Sequence, residues 1–103
     1  KTLFHRAMVH QELGNLDQAV EDYTQALNQM PNSDFVYIGR GVVYGMKKEY
    51  ALALKDFNEA IIHNPQNPAA YQSRAIVYRI LKEDQKALED LKRAEILLRN
   101  HSR

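Results

Sequence analysis

Histidine has the most versatile side chain for chemistry in this sequence, because an imidazole can bind a metal ion or move a proton near neutral pH. The chain contains His5, His10, His63 and His101. His5 and His10 are five residues apart, which places them on different faces of a helix. No pair has the i, i+4 spacing of a helical metal site. The spacing predicts neither a metal centre nor a histidine-based catalytic site.

Neighbouring carboxylates offer a second route to catalysis. Asp17 and Glu21 are four residues apart and can share one helix face, as a general acid and a general base would need. Glu89 and Asp90 are adjacent. Charged pairs of this kind are far more common on the solvated face of a helix, so we predict no catalytic residue.

Closely spaced glycines can cradle a phosphate group. Three of them fall within seven residues, at Gly39, Gly41 and Gly45. They lie inside a predicted helix and lack the preceding strand that a dinucleotide-binding turn requires. We therefore expect no cofactor, and a protein that is not an enzyme.

Composition narrows the possible partners. The 103 residues include 14 Lys and Arg and 13 Asp and Glu, so the net charge of +1 favours neither nucleic acid nor a membrane surface. Hydrophobic residues make up 45% and charged residues 26%, as in a globular domain. The longest apolar runs, of four or five residues, are too short to span a bilayer. The absence of cysteine fits a reducing compartment, so we expect an intracellular, cytoplasmic protein.

Arginine and aspartate recur together at a fixed interval of 34 residues, as Arg6, Arg40 and Arg74 and as Asp22, Asp56 and Asp90. Because an acid recurs with each base, we predict a partly buried ladder of Arg–Asp pairs, within or between repeats. The alternative is a basic stripe that grips a ligand.

The whole chain repeats at the same interval without a gap. Residues 6–10, 40–44 and 74–78 share the pattern Arg, small, apolar, Val, then Tyr or His. Residues 19–23, 53–57 and 87–91 begin with Ala and hold Asp in fourth place. Pro31 and Pro65 close the first two units. Repetition at a fixed period indicates an array of similar structural units.

Each unit is predicted to form two helices. Ser33 can cap a helix whose apolar residues fall on two stripes, which indicates packing on more than one side. One stripe contains Phe35, Ile38, Val42 and Met46, and the other Tyr37, Gly41 and Tyr44. A polar break at residues 47–49 precedes a helix that Asn64 and Pro65 end. Asn67 and Pro68 can start the next unit, and Gly14 with Asn15 breaks the first one.

A helical hairpin of 34 residues with small and aromatic residues at fixed places resembles the tetratricopeptide repeat (TPR). The second unit matches that pattern at Tyr37, Gly41, Tyr44, Ala53, Phe57, Ala60 and Pro65. It departs from the pattern at Arg40, where leucine is usual. The resemblance implies an all-α fold of six helices, a right-handed superhelical solenoid of antiparallel helix pairs. It implies one domain over residues 1–103, with repeats at about 1–33, 34–67 and 68–101, and we expect a fragment of a longer array.

In this family the first helix of each repeat lines a concave groove. By repeat position, the resemblance implies that partners are bound by Phe4, Met8, Phe35, Ile38, Val42, Met46, Gln72, Ile76, Arg79 and Ile80. Gly39 and Gly45 are expected to deepen its floor. One TPR subclass binds acidic C-termini through a carboxylate clamp. Its five positions hold Phe4, Met8, Gly39, Ala69 and Ser73 here, so the resemblance implies a groove without a clamp.

The sequence therefore favours a non-catalytic scaffold that binds a protein or peptide, as an amphipathic helix or an apolar segment. The alternative is a purely structural segment of a longer superhelix that associates with itself through uncapped ends, since the last predicted helix still carries Leu88, Leu91 and Leu98. A third hypothesis, RNA binding by a related helical repeat, is disfavoured by the near-neutral charge.

Overall fold

The computed structural model describes residues 2–101, without the side chain of His101, and contains six α-helices. They are α1 (Leu3–Glu12), α2 (Leu16–Gln29), α3 (Asp34–Met46), α4 (Tyr50–His63), α5 (Pro68–Ile80) and α6 (Asp84–His101). No β-strand occurs within residues 2–101. The predicted all-α fold of six helices is confirmed. The ends of the predicted domain, residue 1 and residues 102–103, lie outside the described residues.

Side-chain caps set the start of the first helix in the second and third repeats. Ser33 Oγ accepts a hydrogen bond from the backbone N–H of Val36 at 3.4 Å. Asn67 Oδ1 accepts one from the N–H of Ala69 at 2.9 Å, and Pro68 follows as the first residue of α5. Each bond satisfies an N–H group that has no partner within the helix. The predicted caps at Ser33 and Asn67 are confirmed.

The turn between the two helices of a repeat uses a left-handed backbone at one fixed position. The φ angles there are 83° at Gly14, 65° at Lys48 and 63° at Lys82. Glycine adopts this conformation freely, whereas another residue loses roughly 1–2 kcal/mol. The sequence therefore signals this turn only in the first repeat. In the other two, the packing of the hairpin imposes it on a lysine.

Small residues let the two helices of each repeat approach closely. Ala7 and Ala19 in the first repeat and Ala53 in the second are fully buried, and Ala75 and Ala87 in the third are 1% and 2% exposed. Aromatic rings fill the adjoining space in the first two repeats, since Tyr23 and Phe57 are each 1% exposed. The core is thus built from the residues that recur every 34 positions.

An Arg–Asp pair, here called a clasp, joins the two helices of every repeat. Arg40 donates from Nε to Asp56 Oδ2 and from Nη2 to Asp56 Oδ1, each at 2.8 Å. The same two bonds, at 2.7–2.9 Å, form between Arg6 and Asp22 and between Arg74 and Asp90. The three carboxylates are only 2–5% exposed. The predicted ladder of partly buried Arg–Asp pairs is confirmed, with each pair inside one repeat.

The repeats stack with their first helices in one layer. α1 contacts α3, and α3 contacts α5, whereas within residues 2–101 no such contact joins α2, α4 and α6 to one another. The layer of α1, α3 and α5 therefore forms the inner, concave face of a slab of 34 × 32 × 21 Å. None of the helices in this part of the chain combines the length and the apolar character that a membrane span requires.

Candidate functional site

Two hollows lie side by side on the concave face. The first hollow lies between α1 and α3 and has a volume of about 230 Å³. The second hollow lies between α3 and α5 and has a volume of about 240 Å³. Small-molecule sites typically occupy about 300–1,000 Å³. Each hollow therefore suits one or two side chains of a partner better than it suits a cofactor.

The first hollow combines aromatic and polar groups. Its lining residues are Phe4, Met8, Gln11, Glu12, Tyr23, Phe35, Ile38 and Gly39. The Phe4 ring meets the Tyr23 ring edge-on, with centroids 5.8 Å apart. The Tyr23 hydroxyl donates to Gln11 Oε1 at 2.9 Å, and burial raises the pKa of Tyr23, so it remains a donor. Gln11 Nε2 in turn lies 3.8 Å from Met46 Sδ, which connects this hollow to the next one.

The second hollow is almost wholly apolar. Its lining residues are Gly41, Val42, Gly45, Met46, Tyr50, Phe57, Ser73, Ile76, Val77 and Ile80. None of them carries a charge. Three of its walls stay open to solvent, because Ile76 is 59%, Ile80 51% and Met46 49% exposed. The hollow can therefore desolvate an apolar side chain but offers little to a charged one.

The helical glycines of α3 differ in what surrounds them. A Cβ atom at Gly39 would lie 2.7 Å from the Tyr23 ring, and one at Gly41 would lie 2.6 Å from the Phe57 ring. A Cβ atom at Gly45 would meet nothing within 4 Å. The expectation that Gly39 deepens the groove is therefore wrong, because the Tyr23 ring fills that space. Gly45 alone among the three leaves its space open, at the edge of the second hollow.

The structure gathers eight of the ten predicted binding residues into these hollows. The first hollow holds Phe4, Met8, Phe35 and Ile38, and the second holds Val42, Met46, Ile76 and Ile80. Arg79 is exposed beside Ile76 and Ile80, at the rim. Gln72 lies apart from the others, beside Leu91 and Leu98 of α6. Gln72 occupies the same repeat position as Ile38. Ile38 packs against Val77 of the following repeat, so Gln72 lies on the corresponding side of the third repeat.

Sequence reasoning missed the residues that second helices contribute to the site. Tyr50 and Phe57 of α4 line the second hollow, and Tyr23 of α2 lines the first. The prediction had assigned the groove to the first helices alone. Tyr50 was detectable in principle, because it directly follows the polar break at residues 47–49 and so begins α4 next to the end of α3.

The polar chemistry of the site is limited. Within residues 2–101, no three His, Asp or Glu side chains lie close enough together to hold a metal ion. In the same part of the chain, every buried side-chain nitrogen or oxygen has a hydrogen-bond partner. The residues that line the two hollows are mainly apolar, with Gln11, Glu12 and Ser73 as the polar exceptions.

Comparison with known proteins places this geometry among established ones. Models of the family described as "Tetratricopeptide repeat" match residues 1–33 and 35–67, which together make up more than half of the chain. The first TPR of Spaghetti (RPAP3), solved with the HSP90 peptide SRMEEVD, has a TM-score of 0.89 and 25% identity. That match covers 92% of this chain and 75% of the RPAP3 chain.

Two further structures show the same fold. The TPR2B domain of yeast Sti1, solved as a complex with pHsp70, has a TM-score of 0.86 and 25% identity over 88% of this chain and 73% of its own. MamA has a TM-score of 0.91 at 18% identity, over 97% of this chain and 58% of its own, which shows the fold alone. The chain belongs to the tetratricopeptide repeat family, whose domains are generally non-catalytic protein-interaction modules, and it folds as an all-α solenoid of that family.

Proposed function

We propose that this protein is a non-catalytic scaffold whose concave face binds an apolar segment of a partner protein, as an amphipathic helix or an extended peptide. Helix-in-groove recognition uses apolar anchors on one side of the partner. The two hollows would receive such anchors in succession. An intracellular, cytoplasmic location would suit such a scaffold. That location stays a prediction.

The observation that carries this proposal is the open space at Gly45. Glycine in a helix interior costs about 1 kcal/mol relative to alanine. At Gly39 and Gly41 a nearby aromatic ring leaves no room for a side chain, which explains why glycine is present. At Gly45 no neighbouring atom requires glycine. The open space adjoins exposed apolar walls. A side chain there would narrow the hollow, so a role in admitting a partner explains the glycine.

We propose further that recognition does not use a carboxylate clamp. A clamp needs cationic and amide donors, and the five corresponding positions hold Phe4, Met8, Gly39, Ala69 and Ser73. The RPAP3 domain was solved with SRMEEVD, a peptide that has three acidic residues and ends in Asp. In this proposal such a peptide meets no cationic or amide donor at these positions, since only Ser73 has a donor, its hydroxyl group. Acidic C-terminal peptides are therefore not the proposed ligands.

The alternative is a purely structural segment of a longer superhelix. Apolar residues on α6 favour it, because Leu88 is 54% and Leu98 45% exposed and either could pack on another helix. The open space at Gly45 is not required by that alternative, and it favours a bound partner. Nucleic acid is not the proposed ligand, because the net charge is only +1.

The test uses peptides selected from a phage-displayed random library and titrated by calorimetry. Val42→Asp and Phe35→Asp place a charge in the second and first hollows, and each should weaken binding by about tenfold or more. Ile62→Asp is the matched control, since Ile62 is 69% exposed on α4, outside both hollows, and Phe35 is 65% exposed. Unchanged affinity in both groove variants would refute the groove. Binding of SRMEEVD as tight as that of selected apolar peptides would refute the absence of a clamp.

A further inference from the structure

The concave face carries one charge of each sign, at its two ends. Among the described residues that line the first hollow, Glu12 is the only charged one. Those that line the second hollow are all uncharged. A third hollow, of about 260 Å³, shares Ile76 and Ile80 with the second hollow and adds Arg79. From α1 to α5 the three hollows are therefore acidic, neutral and basic in turn.

Both charges stand where the other repeats have uncharged residues. The counterparts of Glu12 are Met46 and Ile80, and those of Arg79 are Gln11 and Gly45. These two repeat positions lie at the C-terminal ends of α1, α3 and α5. The opposite charges are thus individual features of the first and third repeats, set on one edge of a shared apolar surface.

The fold uses neither charge. In residues 2–101, both side chains are exposed, and the ion pairs include neither Glu12 nor Arg79. Lys47, next to Met46, is by contrast paired with Asp17. Glu12 is also the last residue of α1, where the partial negative charge of the helix end disfavours an acid. No contact within residues 2–101 therefore requires glutamate there, whereas a basic group of a partner would.

We propose that the concave face binds its partner segment in one orientation, with a basic side chain over Glu12 and an acidic side chain beside Arg79. Apolar side chains of the segment fill the first and second hollows between them. The inference rests on the proposed function, because it specifies the partner of the same groove. Charge complementarity supports it, since matched charges fix register and orientation at an interface more than they add affinity.

The spacing of the two charges sets the length of such a segment. Packed helices lie roughly 8–10 Å apart, so the two intervals from α1 to α3 and from α3 to α5 separate Glu12 from Arg79 by about 20 Å. An extended segment covers that distance in about six residues, and a helix in about 13. At physiological salt, exposed charges are largely screened beyond about 8 Å. Each charge of the groove therefore acts on its own end of the segment.

The test exchanges the two charges of the groove. Peptides selected from the random library should carry a basic residue at one end and an acidic residue at the other. Glu12→Arg combined with Arg79→Glu keeps the net charge, and calorimetry at low salt should show about tenfold weaker binding of a selected peptide. A peptide whose two end charges are exchanged should show the reverse preference. This rescue also demonstrates that the double variant is folded.

The matched control makes the same exchange on another surface. Glu89→Arg combined with Arg93→Glu alters two exposed residues of α6 that lie outside the three hollows. It should leave the affinity for both peptides unchanged. Glu12→Gln alone should weaken the selected peptide by about two- to fivefold. Both groove effects should shrink as salt rises to about 0.5 M, because the charges are exposed.

A nitroxide on the basic end of the selected peptide reports its orientation. It should broaden the amide NMR signals of residues 11–13 more than those of residues 79–81, because the basic end lies over Glu12. Equal broadening at both ends of the groove would show two orientations and would overturn the inference.

The outcomes separate this inference from the proposed function. If Val42→Asp weakens a selected peptide but the charge-exchanged groove binds both peptides as the unsubstituted protein does, the orientation is wrong and the groove remains supported. Selected peptides without opposite charges at their ends would lead to the same conclusion. Binding that is insensitive to Val42→Asp and Phe35→Asp would overturn both proposals.

Discussion

α3 turns two contrasting faces to its surroundings. The packed face meets helices of two repeats. Gly41 lies against the Phe57 ring of α4 and Arg40 pairs with Asp56, while Val43 is fully buried against the first repeat. The open face belongs to the concave surface, where Phe35 is 65% and Met46 49% exposed. The packed face is thus enclosed by neighbouring helices, whereas the open face leaves large apolar side chains exposed to solvent.

This difference separates residues that stabilise the fold from residues that are available for binding. Gly41 and Gly45 are only four positions apart in one helix, yet a methyl group would collide at the first and meet nothing at the second. Residue type alone does not distinguish them, but their contacts do. Substitutions on the packed face should therefore change the free energy of unfolding, and substitutions on the open face should change affinity.

The largest effect is expected from breaking the buried clasp of the packed face. Asp56→Ala leaves the guanidinium of Arg40, only 19% exposed, without its carboxylate. Removing one partner of a buried ion pair typically costs about 3–5 kcal/mol. Urea denaturation should show a loss of that size. Glu89→Ala, at an exposed site on α6, is the control and should change stability by no more than about 0.5 kcal/mol. A loss equal to that of the control would contradict the structural role of the clasp.

The next effect is expected from overfilling the packed face. Gly41→Ala places a methyl group 2.6 Å from the Phe57 ring, which is 1% exposed and has little room to move. Overpacking typically costs about 1–3 kcal/mol, of which helix propensity returns up to about 1 kcal/mol. We expect a net loss, measured as a lower thermal midpoint. A higher midpoint than that of the unsubstituted protein would show that the ring can yield.

The same glycine-to-alanine substitution on the open face should change the free energy of unfolding in the opposite direction. Gly45→Ala adds a methyl group to open space and should stabilise the protein by about 0.5–1 kcal/mol, because alanine favours the helix. Gly45→Leu should also fold, but its side chain should fill the second hollow and weaken peptide binding. Urea denaturation and calorimetric titration of both variants separate the two effects. If Gly45→Leu binds peptide with unchanged affinity while Val42→Asp still fails to bind, Gly45 does not contribute to binding. The proposed groove would remain supported.

Much of this architecture follows from the 34-residue period. A recurring arginine with a recurring aspartate was enough to predict the clasps, because an acid that accompanies each base indicates pairing. Ser33 and Asn67 marked helix starts because their side chains can accept from free N–H groups. The exposed, apolar character of Met46, Ile76 and Ile80 was likewise predictable from repeat position, although their role in binding stays a prediction.

The remaining features depend on neighbours that a sequence does not name. Gly39 and Gly45 were assigned the same role, and only the position of the Tyr23 ring distinguishes them. Val36 lay on neither predicted stripe, yet it is 1% exposed because it packs against the preceding repeat. Lys48 and Lys82 take a left-handed backbone that favours glycine, so their residue type gave no signal of the turn.

The smallest effect is expected from acid, at the clasp with the most exposed arginine. The Arg6 guanidinium, by hydrogen bonding to Asp22, holds the pKa of that carboxyl below its usual value, which is about 3.9 in an unfolded chain. Between the folded and unfolded pKa values the unfolded state binds more protons, so the free energy of unfolding rises with pH. The contribution is therefore complete above the unfolded pKa and is lost as pH falls through the folded one. Asp22→Asn cannot titrate, so its urea midpoint should change less than that of the unsubstituted protein between pH 5 and about 2.5. Parallel curves for the two proteins would mean that Arg6, which is 60% exposed, leaves the pKa of Asp22 at its ordinary value.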